Sequence, residues 1–427
     1  VSSGSNAGPA LPPLARSKTF WRLLRNALIF GVVLAFAGLA FLGVTQGGDL
    51  WFDPGDNGWL GGELWWVAVT AGAGVLVGLL RRAFAMPEHQ AGLIKELEAE
   101  RVEPSTVPGT VTVSAVSLVG GASLGPEAAL GSMGGGLGTW ISERRKDDEA
   151  TQRANTLTGM SGAYGGLLAS PFLATMLVIE LARPTGARFL STLFAGLVAA
   201  SVSFAIFFPI AGATFLGLYE LPPYEYEDWH LLAGAALGLV AAALAIILAL
   251  AVGLLRRATA PLEGRTVLRP TLGGIAFGLV AVAFPLTLFT GTDQLTTVID
   301  DRAALGAGLL IAVVLAKILT FALSMSTGFI GGPFFPMLFI GGTAGVAAHL
   351  LVPGLPLALA FTCLFAALPG ALVAAPFTLV LLAALTTQVG ALQTAPIGIA
   401  VLTAYVAVSG SGVLLEMARR GAAAEAD

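Results

Sequence analysis

The chain has 427 residues, of which 56% are hydrophobic and 11% charged, and its mean hydropathy is +0.84. Soluble domains carry about 25% charged residues, so this composition argues against a soluble enzyme and places the chain in a bilayer. A formal net charge of -4 leaves no basic surface for nucleic acid, and a single cysteine, Cys363, excludes a disulfide framework or a cysteine metal cluster. His89, His230 and His349 are far apart and form no ligand motif, so structural roles are expected for them.

Residues 1–20 are rich in Ser, Gly and Pro and read as a disordered N-terminal segment. The apolar run after Arg25 is long enough to span and has no convincing cleavage site, so it reads as a helix and not as a signal peptide. Runs near the roughly 20 residues needed for a ~30 Å core lie over 24–45, 63–85, 189–215, 229–255, 269–289, 302–325 and 396–417. Shorter apolar runs at 107–121, 127–141, 155–168, 171–182, 333–350, 355–368 and 371–387 have Gly or Pro at their ends. A fifteen-residue helix covers only about 22 Å, so several of these predict half-helices that end inside the protein. Fifty-five glycines and 23 prolines agree with broken helices, which a membrane tolerates where protein or a cavity satisfies the freed backbone.

Arg16, Lys18, Arg22 and Arg25 precede the first run, and cations recur at 81–101, 143–153 and 256–269. The segments 47–63 and 217–228 are acidic and carry no Lys or Arg. The positive-inside rule then puts both termini in the cytoplasm of a multi-pass protein of the cell inner (plasma) membrane. Because 81–101 and 143–153 share a side, the short pair between them must be re-entrant. A single membrane domain is expected over 21–420, followed by a short cytoplasmic tail at 421–427.

The chain also resembles itself. GASLGPEAALGSMGG (121–135) aligns without gaps on GFIGGPFFPMLFIGG (328–342), 207 residues later, and LLASPF (167–172) aligns on LVAAPF (372–377) at nearly the same spacing. With both termini inside and 286–301 outside, the copies, about 21–215 and 229–420, are inverted. Such repeats hold their ligand near the midplane where half-helices meet.

Each copy has a Gly-Pro turn followed by an apolar helix. Proline is favoured at helix starts, so Gly125-Pro126 and Gly332-Pro333 predict two of them. The free amides that follow, at Ala128, Ala129, Phe334 and Phe335, together with the helix dipoles, favour an anion without any full positive charge. Glu127 stands in the first turn of one such helix, where an ionisable group is costly. Either its carboxylate is a tethered competitor for the anion site, and so a gate, or it caps its own helix. Glu180 is expected to pair with Arg183 at the cytoplasmic interface. Lys317 either raises the local potential for an anion or pairs with a buried carboxylate. The Trp and Phe residues read as lipid-facing or interfacial.

At these residues the chain resembles the chloride channel (CLC) family of anion channels and proton-coupled anion exchangers. LGPEAAL looks like a divergent form of that family's G-[KR]-E-G-P block, with Glu127 at the gating glutamate, and GPFFP (332–336) fits its G-x-F-x-P block. VIELARP (178–184) is similar to the stretch after the second half-helix pair, and AGLIKELE (91–98) falls where G-S-G-I-P-E belongs. The resemblance spans roughly 20–417. It implies an all-α, inverted-repeat membrane protein with broken and re-entrant half-helices, a homodimer with one anion path per subunit, chloride as the transported ligand and no cofactor.

The chain departs from the family's pattern at several ligands. The anion-ligating serine falls near Gly92, the proline of that block is Lys95, and the basic residue before the gating glutamate is Pro126. The inner proton-relaying glutamate falls at Leu181, and no tyrosine occurs between 370 and 404, where Val389 or Ala391 stands near the family's anion-ligating one. Passive conduction gated by Glu127 is therefore expected. Proton-coupled exchange, or transport of another anion on the same scaffold, is the alternative.

Overall fold

The structure, a computed structural model, describes residues 16–46, 62–87, 92–212 and 217–411. Most of the N-terminal segment, His89, most of the acidic segment 47–63 and the tail lie outside the described residues. The first half comprises α1 (Lys18–Thr45), α2 (Trp65–Ala83), α3 (Leu93–Glu98), α4 (Val107–Val119), α5 (Glu127–Arg145), α6 (Glu149–Leu167), α7 (Pro171–Ala182) and α8 (Ala187–Ala211). The second comprises α9 (Trp229–Thr259), α10 (Leu268–Ala283), α11 (Thr292–Asp300), α12 (Arg302–Ser326), α13 (Phe334–Leu351), α14 (Leu357–Leu372), α15 (Pro376–Thr387) and α16 (Thr394–Gly410). Among the described residues, α1, α2, α8, α9, α12 and α13 are long and apolar enough to cross a membrane.

The two halves have the same internal neighbours. In the first, α6 packs on α1, α5, α7 and α8; in the second, α14 packs on α9, α13, α15 and α16. Equivalent helices also meet across the halves, α2 on α10 and α7 on α15. The backbone at the centre obeys the 207-residue offset. The Ile330 amide donates to Ser117 Oγ at 3.1 Å, and the Ser123 amide donates to Ser324 Oγ at 3.2 Å. Each bond is the other with its partners exchanged between the halves, as a twofold relation requires.

Local sequence sets the breaks. Ser170 caps α7 by accepting from the Leu173 amide at 3.3 Å, and Pro171 opens the helix with a φ already helical. Asp148 caps α6 in the same way, accepting from the Thr151 amide at 2.7 Å. Helices α5 and α6 approach until their backbones touch at Gly134 and Gly159, where a Cβ on either would collide with the other helix's carbonyl.

Three expectations need correction. The run 269–289 is not one span: α10 stops at Ala283, because Pro285 has no N–H to extend the ladder and begins a short 3₁₀ turn instead. The apolar stretch 371–387 is interrupted at Val373–Ala375, and Pro376 opens the new helix α15. The aromatic residues are not uniformly lipid-facing. Trp21, Trp65, Trp140 and Trp229 are exposed, but Trp66, Phe30, Phe277, Phe339, Phe361 and Phe365 are buried and fill the spaces between helices.

Candidate functional site

The two Gly-Pro turns meet back to back. The Gly125 amide donates to the Gly332 carbonyl at 2.8 Å and the Gly332 amide returns to Gly125 at 2.7 Å, a two-residue antiparallel bridge inside an otherwise helical protein. Pro126 and Pro333 have helical φ and stand at the N-caps, one position before the helices. The bridge therefore fixes the starts of α5 and α13 against each other.

Glu127 is 3% exposed, and its carboxylate reaches across the bridge. Its Oε1 accepts from the Phe334 amide at 2.6 Å, and the amides of Phe335 and of Glu127 itself also face the carboxyl group. The principal bond thus goes to the other half's helix start, where α13 offers free N–H donors and the positive end of its dipole. Ala128 and Ala129 lie in the first turn of α5, where no earlier helical carbonyl is available, while the carboxylate turns to the amides of the other helix start.

Neither Gly125 nor Gly332 has space for a side chain, since a Cβ at either would collide with the Glu127 carboxyl. Gly332→Ala is expected to push the carboxyl off the Phe334 amide. Anion efflux from liposomes should then lose most of its pH dependence; wild-type pH dependence in this variant would show that the carboxyl does not need that place.

Beside the carboxyl is a cavity of about 30 Å³, lined by Glu127, Tyr164, Phe334, Phe335, Thr378 and leucines from α3, α6, α7, α13 and α15. Leu181, where the family's inner glutamate would stand, is one of these leucines. Tyr164 escaped the sequence reading. It is fully buried on α6, and its hydroxyl donates to the Glu127 backbone carbonyl at 3.0 Å. The available signal was one aromatic residue in the otherwise small-residue run GMSGAYGG. Neither Gly92, Val389 nor Ala391 lines this cavity; from the 91–98 block it is Leu93 that does.

Glu180 does not pair with Arg183. Its Oε1 accepts from the Phe377 amide at 2.9 Å, and its Oε2 accepts from the Thr378 amide at 2.7 Å and from the Thr378 hydroxyl. The start of α15 offers several aligned donors, which a carboxylate prefers to one mobile guanidinium, and the left-handed φ of Arg183 turns the chain away there. Glu180 therefore clips α7 to α15, two helices that both line the cavity.

Among the described residues Lys317 has no carboxylate partner either. It is wholly buried, and its ammonium donates to the carbonyls of Thr287, Leu288 and Phe289 at 3.1, 3.0 and 2.8 Å, above the Phe339 ring. Three donors meet three acceptors, so its charge is committed to the 284–291 loop, and Lys317 is not among the residues that line the cavity. That loop touches the first half, where the Phe289 amide donates to Gly121 at 3.2 Å. The remaining described histidines have structural contacts: His230 Nδ1 accepts from the Glu227 amide, and His349 Nδ1 meets the Leu355 carbonyl.

One more carboxyl was not anticipated. Glu96 lies on the short helix α3, outside the spanning segments, and accepts from Ser132 Oγ at 3.2 Å. Burial pushes it up to about 7, and the Ser132 bond pulls the other way.

Known proteins share this architecture. The voltage gated chloride channel family model matches residues 73–409. The putative ion-transport protein YfeO of Salmonella choleraesuis is 29% identical over 360 residues, 82% of this chain and 85% of that protein. Its namesake in Escherichia coli O7:K1 is 27% identical over 311 residues, 70% of this chain and 71% of that protein. Among solved structures, a slow cyanobacterial Cl-/H+ antiporter superposes with a TM-score of 0.77 at 20% identity, covering 96% of this chain and 99% of its own. A CLC-type fluoride/proton antiporter gives 0.74 at 18%, covering 94% and 98%. At these identities the structural likenesses establish the fold, while the family match extends over most of the sequence. The chain belongs to the voltage-gated chloride channel family and is an integral membrane protein of anion transport.

Proposed function

We propose that the protein passes a small inorganic anion, chloride in the first instance, along a path whose central site is the start of α13, with Glu127 as its tethered occupant. The observation that carries this reading is the 2.6 Å bond from the Phe334 amide to Glu127 Oε1, which fills the place where a free anion would be held. Once the carboxyl leaves, by protonation or by swinging aside, the amides of Phe334 and Phe335 offer the anion the donors it vacated. Ala128 and Ala129 supply the opposing helix start. Because Lys317 is spent on carbonyls, the site holds its ligand by backbone dipoles alone, strongly enough to admit an anion and weakly enough to release it. Solved relatives of this fold named for chloride and for fluoride support a halide-sized ligand.

In this reading the two halves are the inverted repeats, both termini are cytoplasmic in the cell membrane, and the working unit is a homodimer. The test is anion efflux from liposomes, with chloride, fluoride and nitrate compared for wild type and Glu127→Ala over a range of pH. A selective, pH-dependent efflux that Glu127→Ala renders pH-independent supports the reading. No effect of the substitution on any anion overturns it.

A further inference from the structure

The first turns of α1 concentrate positive charge that the neighbouring sequence does not answer. Lys18, Arg22 and Arg25 are spaced by four and three residues, so they share one face over about 10.5 Å. The first acidic residue in the sequence is Asp49, so neither α1 nor the residues before it supply a counter-charge. Lys18 even opens the helix, where the dipole disfavours a cation. Among the described residues Arg22 alone of the three is ion-paired, with Asp147 at 3.4 Å. By contrast Arg101, Arg153 and Arg188 are matched by Glu143, Glu149 and Glu100.

Together with Trp21 the three cations line a recess of about 340 Å³, within the size range of small-ligand sites. The same face continues along the helix as Ile29, Val32 and Phe36, all exposed. Steps of four and three residues keep 18, 22, 25, 29, 32 and 36 in one stripe. Helix α8 packs beside α1 and exposes Phe189, Leu190 and Phe194; Phe20 meets Phe194 edge-on, with ring centres 6.4 Å apart. Trp21 is 58% exposed where charge gives way to apolar surface, the place amphipathic rings take at headgroup depth. A cationic recess that runs into an exposed apolar stripe matches one kind of molecule, an anionic head on hydrocarbon tails.

We propose that this face of α1 binds an anionic phospholipid, its phosphate against Lys18, Arg22 and Arg25 in the recess and its acyl chains along Ile29, Val32 and Phe36. The phosphate supplies the counter-charge that the sequence around α1 lacks. A zwitterionic lipid brings its own cation into the recess and is disfavoured there, and free phosphate gains nothing from the stripe. Basic clusters at the cytoplasmic ends of membrane helices attract anionic headgroups in this way. Arg22 also ties the site to Asp147, the neighbour of Asp148, which caps α6.

The test uses the full chain in vesicles with Trp21 as reporter. Lipid brominated in its acyl chains quenches a tryptophan it touches, and subtracting the signal of Trp21→Phe, made in each background, isolates Trp21. In wild type, brominated phosphatidylglycerol should quench this signal at a fraction tenfold or more below that needed for brominated phosphatidylcholine. Lys18→Gln combined with Arg25→Gln should lose most of that preference, about fivefold for each cation removed. Arg25→Lys keeps the charge and should keep the preference. Arg256→Gln combined with Arg257→Gln removes as much charge from exposed positions at the end of α9 and should leave the Trp21 signal as in wild type. Equal quenching by the two lipids in wild type, no loss in the α1 pair, or an equal loss in the α9 pair overturns the proposal. Millimolar inorganic phosphate should leave the quenching in place; if it displaces the phospholipid, the recess takes free phosphate and the lipid assignment fails. If the α1 pair is not recovered as monodisperse protein, Lys18→Gln and Arg25→Gln are made singly, with about a fivefold loss expected in each, and no loss in either overturns the site.

Discussion

Replacing Glu127 by alanine is expected to raise anion efflux at neutral and alkaline pH by about ten- to a hundredfold and to remove its dependence on pH. The size follows from the bond that is lost. A buried hydrogen bond to a charged acceptor is worth about 1.5–3 kcal/mol, and about 1.4 kcal/mol is a factor of ten in occupancy. In wild type the ionised carboxyl competes with the anion for the Phe334 amide, so efflux should rise as pH falls and the carboxyl is neutralised. Glu127→Gln keeps the shape without the charge and should likewise flatten the pH response. Glu127→Asp keeps the charge but withdraws it by one methylene, and should retain a weaker pH dependence. Efflux from liposomes at stepped pH separates the three. A fall in efflux for Glu127→Ala at every pH would mean that the carboxyl helps the anion through and does not compete with it.

The second large effect is on stability. Lys317→Met should destabilise the fold by about 3–5 kcal/mol, the usual cost of removing one partner from a buried charged contact, because three buried carbonyls lose their donor together. Methionine nearly matches the lysine stem in volume, so the loss reads the ammonium and not a cavity. The 284–291 loop is held between Lys317 and Gly121, so its release should also loosen the contact between the two halves. Unfolding in detergent micelles, followed by recovery of monodisperse protein, measures the effect. If Lys317 served the anion's potential instead, the variant would unfold like wild type and differ in anion selectivity.

The parts of the site made of backbone were legible in sequence. A Gly-Pro turn favours a helix start, so 125–126 and 332–333 located the two ends and the repeat placed them together, while the bridge between Gly125 and Gly332 that joins them was not foreseen. Side-chain partners distant in sequence were not legible. Glu180 has Arg183 three residues away, yet it binds Phe377 and Thr378, because α7 and α15 meet only once the halves assemble. The partners of Lys317 are carbonyls, which no residue type announces. Tyr164 and Glu96 reach α5 because α6 and α3 pack on it at Gly131 and Ser132, a contact that a mostly apolar sequence does not encode visibly. Helix α11 went unseen because its nine residues are mostly polar and bury only Leu295, Val298 and Ile299. The break at Val373–Ala375 is hidden because its residues are as apolar as the helices around it.

That Glu127 occupies the anion's own place is tested most directly by crystallographic localisation of bromide, through its anomalous signal, in wild type and in Glu127→Ala at alkaline pH. Bromide should lie within hydrogen-bond distance of the Phe334 amide in the variant and be absent there in wild type, with the carboxyl in its stead. Bromide at that amide beside a seated carboxyl, or none there in the variant, would contradict it.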